Sequence, residues 1–116
     1  IPRCPYCKAM LDENFKDEKI VKEIAANFIH VEIYTANQGS VRVQEFEGST
    51  KEFSAHVGAF VYPSTIFMNG EGAVVHTAIG YRNSDEYFAE LSYVATGHYK
   101  TMGLEEYKLK LELEDF

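Results

Sequence analysis

Cysteine is scarce in this sequence: two residues in 116. Two cysteines make one bridge at most, so a small domain stapled by several disulfides is excluded. Long apolar runs are missing as well. No stretch of about 18 apolar residues exists, so no helix is expected to span a membrane. Basic side chains are the minority, 11 against 18 acidic ones, and the net charge of −7 argues against nucleic acid as a partner. His30, His56, His76 and His98 are scattered singly, without the paired spacing of a zinc site. Repeats, low-complexity segments and linkers are absent, so the chain reads as a single domain over 1–116. What is present is enough for a core: 46% hydrophobic residues, including eight Tyr and eight Phe. The chain opens on Ile1 rather than Met and shows no secretory leader, so an upstream segment is expected to lie outside it.

The two cysteines stand together in Cys4-Pro5-Tyr6-Cys7, followed by Lys8-Ala9-Met10-Leu11, which reads as the first turns of a helix. Proline suits the first helical position, because its missing N–H would be unpaired there anyway. Cys4 then falls at the N-cap and Cys7 one turn further in. The unpaired N–H groups and the positive end of the helix dipole stabilise a thiolate at Cys4. The thiolate is the species that attacks a disulfide, and Cys7 is close enough to resolve the resulting mixed disulfide. A purely structural disulfide is the first competing reading, but closing so short a loop constrains little of the unfolded chain. Half of a zinc site is the second, and it lacks its other pair of ligands. A cluster held by one Cys per chain and an external thiol is a third.

The pattern predicts a helix over 5–16, with Met10, Leu11 and Phe15 among its apolar positions. Asp17 caps a second helix whose buried stripe is Ile20, Val21, Ile24, Ala25 and Phe28, with Lys19, Lys22 and Glu23 in solvent. His30 to Ala36 alternates as a strand, and residues 37–40 turn. Val41 to about Phe46 is a short extended piece, broken by Glu47-Gly48-Ser49. Ser49 or Thr50 caps a short helix to about Val57, with Phe53 and Val57 inward. An apolar run through Pro63 to Met68 and a strand from Ala73 to Ile79, joined at Asn69-Gly70, form an antiparallel hairpin. Gly80 ends it. Ser84 caps a helix lined inside by Tyr87, Phe88, Leu91, Val94 and Ala95 and stopped at Gly97. Beyond it, a helix is expected at least to Lys110.

This is an α/β order, and a Cys-x-x-Cys beside it points to a redox site. Cys4-Pro5-Tyr6-Cys7-Lys8 resembles the active-site motif of the thioredoxin superfamily. Val61-Tyr62-Pro63-Ser64 occupies the place of that superfamily's cis-proline loop. The hairpin, Gly80-Tyr81 and the helix after them match as well, through about residue 97. Within the superfamily the chain is most similar to bacterial periplasmic thioredoxin-related proteins of the SoxW type, which carry a C-terminal extension like 97–116 here. The resemblance implies a three-layer fold, with a mixed central sheet flanked by helices. It also implies a cis Tyr62–Pro63 bond, although an arbitrary X–Pro bond is cis only about one time in twenty. Tyr62 and Pro63 would bind an extended substrate strand beside Cys4. Three departures stand out. The strand that normally leads into the first cysteine is reduced to Ile1-Pro2-Arg3, so it is expected upstream or from another chain. Arg3 replaces the usual Trp. The buried Asp that assists proton transfer would also lie upstream.

The expected function is thiol–disulfide exchange on protein disulfides, with Cys4 as nucleophile and Cys7 as resolving thiol. Arg3 and Lys8 flank the sulfur and either lower its pKa or are ordinary solvated cations. Pro5 and Tyr6, between the cysteines, are expected to tune the potential and the contact surface, with a passive exposed aromatic as the other reading of Tyr6. No cofactor is needed, since the two sulfurs carry the electrons. The resemblance implies a membrane thiol carrier as reductant, a monomer, and a periplasmic setting with the cytoplasm as alternative. A glutaredoxin is the second reading, because Cys-Pro-Tyr-Cys also resembles that family's motif. The glycine pair that glutaredoxins use to hold glutathione is absent around Gly80-Tyr81-Arg82. A thioredoxin-like binding module without catalysis is the third.

Overall fold

The computed structural model describes residues 5–33, 39–43, 46–59 and 61–114. The first helix, α1, spans Pro5–Ala9 and runs on into a π-helical segment over Met10–Asn14. The Phe15 N–H reaches back five residues to the Met10 carbonyl, 3.3 Å away. This wider turn departs from the uniform helix expected over 5–16. It places Met10 and Asn14 inside, at 3% and 0% exposure, while Leu11, expected inside, lies at the surface.

Helix α2, Glu18–Asn27, starts where Asp17 caps it: the Asp17 carboxylate accepts from the Lys19 N–H at 3.1 Å. Ile20 is fully buried, but Val21 and Ala25 are exposed. The buried stripe is therefore narrower than the apolar pattern suggested, with Ile20, Ile24 and Phe28 facing the core.

Strands β1, Ser40–Val43, and β2, Phe46–Ser49, pair antiparallel. The expectation that Glu47-Gly48-Ser49 breaks the extended piece is corrected here. Gly48 pairs with Val41, and its missing side chain makes room. A Cβ there would lie 3.0 Å from the Phe46 Cζ and 3.4 Å from the Glu52 Cβ. Helix α3, Thr50–His56, begins with a reciprocal cap. The Ser49 hydroxyl accepts from the Glu52 N–H and the Glu52 carboxylate accepts from the Ser49 N–H.

Strands β3, Ser64–Met68, and β4, Val74–Ile79, form the expected antiparallel hairpin, with a bulge beside Met68. The Asn69 side chain closes its turn by accepting from the Glu71 and Ala73 N–H groups. Helix α4 spans Ser84–Ala95, and Asn83 rather than Ser84 is its cap. Gly97, at φ 79°, ends it in the left-handed conformation a glycine tolerates. A 3-10 turn, His98–Lys100, leads to α5, Leu104–Glu114. Tyr107 of α5 is buried against α4, its ring 5.4 Å from Tyr93 and its hydroxyl 2.6 Å from Ser92.

The core joins Met10, Ile20, Phe67, Ala78, Tyr87 and Leu91, so α2, α4 and the π segment all bury against the β3–β4 hairpin. The α/β character matches the sequence pattern. Among the described residues, however, the strands form two separate two-stranded antiparallel sheets rather than one mixed sheet. Residues 30–33 of the strand expected over 30–36 join no ladder among the described residues, and 34–36 lie outside them. Ile29, Val31 and Ile33 are 94%, 70% and 40% exposed.

Candidate active site

Pro5 opens α1, as its ring requires, so Cys7 sits within the first turn, half-buried. Tyr6 is 63% exposed, and Pro5 and Lys8 are exposed too. Arg3 and Cys4 lie outside the described residues.

The second part of the site is the segment before β3. The Tyr62–Pro63 peptide bond is cis, as the resemblance implied. This segment is tethered at both ends. On the α3 side, the buried Ser54 hydroxyl donates to the Ala59 carbonyl at 2.6 Å and lies 3.4 Å from the Tyr62 hydroxyl. On the β4 side, the Gly80 N–H donates to the Pro63 carbonyl at 2.8 Å. Gly80 adopts φ 93°, a conformation that penalises any side chain.

From Gly80 the chain turns directly onto the cysteine-bearing helix. The Tyr81 ring lies 6.0 Å from the Tyr6 ring, within range of an aromatic pair. The Arg82 N–H approaches the Met10 sulfur at 3.4 Å. The Asn14 amide donates to the Arg82 carbonyl at 2.7 Å and to the Met10 sulfur at 2.9 Å. Residues 80–82 thus link the Pro63 strand to the helix that carries Tyr6 and Cys7.

Beneath this link lies a buried charge. Glu90 of α4 is 1% exposed. Its carboxylate accepts from Arg82 Nε at 2.9 Å and pairs with His76 Nε2 at 3.0 Å. Arg82 also donates to the Ile79 carbonyl at 3.0 Å. A buried carboxylate is tolerated only with such partners, and this one holds Arg82, whose backbone receives Asn14. Sequence reasoning missed Asn14, Arg82 and Glu90. Their only signal was position: Asn14 falls four residues after Met10 and Glu90 three after Tyr87, inside otherwise apolar helix faces.

A thioredoxin-like domain model matches residues 2–95, the span that holds the Cys-x-x-Cys helix, the Pro63 strand and α4. The chain belongs to the thioredoxin-like domain family. The fold agrees: this thioredoxin-like domain is similar to a thioredoxin-fold protein from Helicobacter pylori, with a TM-score of 0.84 at 19% sequence identity. That likeness covers 97% of this chain and 80% of the other. No curated protein matches the sequence.

Proposed function

We propose that this thioredoxin-like domain is a thiol–disulfide oxidoreductase that reduces protein disulfides through Cys4 and Cys7. The observation that carries the reading is a Cys-Pro-Tyr-Cys sequence whose proline begins α1, within a thioredoxin-like domain. In the reductive direction the Cys4 thiolate attacks one sulfur of a substrate disulfide. The other substrate sulfur leaves as a thiolate and takes up a proton. Cys7, having lost its proton, then attacks the Cys4 sulfur and expels the second substrate thiol. The substrate gains two electrons and two protons, and the protein is left with a Cys4–Cys7 disulfide. Tyr62 and Pro63 border the incoming substrate strand. Arg3 and Lys8 favour the Cys4 thiolate by their charge. Similarity to SoxW-type proteins supports a periplasmic monomer recharged by the dithiol of a membrane thiol carrier.

Trapping tests this reading. A Cys7→Ser protein should accumulate mixed disulfides with a model protein disulfide, and Cys4→Ser should not. Equal absence of adducts from both variants would remove the catalytic reading and leave a binding module.

A further inference from the structure

The residues after β4 form one side of an exposed apolar rim. Tyr6 is 63% exposed and Val61 is 54% exposed. Tyr81 contacts the first of these, and its chain neighbour Gly80 the second. Its ring faces Tyr6 at 6.0 Å with the planes tilted by 49°. Its neighbour Gly80 lies against Val61: a Cβ on Gly80 would come 4.0 Å from the Val61 Cγ1. The far end of the Tyr81 ring is tied down, because its hydroxyl donates to the Glu13 carboxylate on the π-helical segment. The Ser84 hydroxyl donates to the Glu13 carbonyl at 3.4 Å, which holds the same turn from the other side.

We infer that Tyr81, held by Glu13, is a specificity-determining residue that receives an apolar or aromatic side chain next to the substrate's reactive cysteine. This rests on the proposed disulfide exchange. A tyrosine at a rim has a large apolar body and a polar tip. Left free, its ring samples several rotamers and must be ordered at each encounter. The Glu13 carboxylate removes that freedom beforehand and keeps the ring beside Tyr6. The phenol stays protonated as donor, since the bond to Glu13 raises the Tyr81 pKa above its ordinary value.

The test uses the full chain, reduced beforehand, in single turnover with two disulfide peptides. They differ only in carrying Phe or Ser beside the attacked cysteine. The readout is the ratio of the two rates, together with the reduction potential of each variant. The wild type should favour the Phe peptide. Tyr81→Ala should lower the ratio about fivefold, the size of one aromatic contact. Tyr81→Phe and Glu13→Ala should each lower it about twofold, and the double variant no further, because both break one bond. Glu13→Gln should restore the ratio, since its amide oxygen still accepts from the phenol. Potentials should stay at the wild-type value. An unchanged ratio in Tyr81→Ala, with an active wild type, overturns the inference alone. Loss of the ratio in Glu13→Gln overturns the tether. A wild type that reduces neither peptide overturns the proposed function and the inference with it.

Discussion

The two hairpins of this domain share a design and differ in what covers them. In β1–β2 every described strand residue is exposed or half-buried. Its cover is the short helix α3, through ring contacts at one end: Phe46 lies tilted 5.6 Å from Phe53 and stacked 4.5 Å from His56. In β3–β4, by contrast, Phe67 and Ala78 are buried at 5% and 1% exposure beneath α2 and α4. The candidate site grows from the second hairpin: Pro63 precedes β3, Gly80 follows β4, and the two are hydrogen-bonded. The comparison teaches that strand pairing alone is not what steadies the site. Helical cover fixes β3–β4, and the fixed hairpin holds the loops in place.

The largest expected effect breaks that cover. Phe67→Ala removes a ring packed against Phe28 and the Ile20–Leu91 core. It should cost about 4 kcal/mol, as other Phe→Ala core deletions do. Denaturant titration measures it, and a loss below about 1 kcal/mol would mean the core is elsewhere. Glu90→Ala should cost about 3 kcal/mol, because it strips Arg82 and His76 of their buried partner. Those two are themselves 25% and 16% exposed, so water offsets part of the loss. Glu90→Gln, which keeps an acceptor for Arg82, should recover part of it.

On the other hairpin the effects shrink. Phe46→Ala should cost about 1 kcal/mol, because the ring is only half-buried. Amide exchange should then rise across β1–β2 and leave β3–β4 protected. An equal rise in both would erase the distinction drawn here.

The smallest effect is the pH dependence of the α3 cap. Hydrogen bonds from the Ser49 backbone N–H and then its hydroxyl hold the Glu52 carboxyl below its ordinary pKa of 4.5. A lowered folded pKa means a stabilisation that is complete above the unfolded value and lost as the pH falls through the folded one. Thermal melts on either side of 4.5 should show it; Ser49→Ala, which removes the hydroxyl but keeps the backbone N–H, should reduce it, and Glu52→Gln should abolish it.

Local signals were legible in the sequence. Asp17 as a cap, Ser49 or Thr50 as the cap of α3, the turn at Asn69 and the stops at Gly80 and Gly97 each act over four residues or fewer. The Cys-x-x-Cys helix start belongs to this group, so the core of the candidate site could be read directly. What escaped depends on distance or space. Gly48 reads as a breaker by composition but is a strand residue, because Phe46 and Glu52 crowd it. The alternation at 30–33 is real, yet those residues join no ladder among the described residues. Asn14 meets Arg82, and Glu13 meets Tyr81, across 68 residues of chain, where no periodicity reaches. The link between the Pro63 strand and the cysteine helix was therefore invisible, although each end of it was not.

The most direct test of the central claim is the reduction potential of the Cys4–Cys7 pair, measured by equilibration against a glutathione buffer. The account predicts a reversible two-electron couple near the thioredoxin value of about −270 mV, the poise of a protein that keeps other thiols reduced. A value near about −120 mV would describe a strong oxidant instead and contradict the reductant reading. A pair that never exchanges with the buffer would contradict redox function altogether.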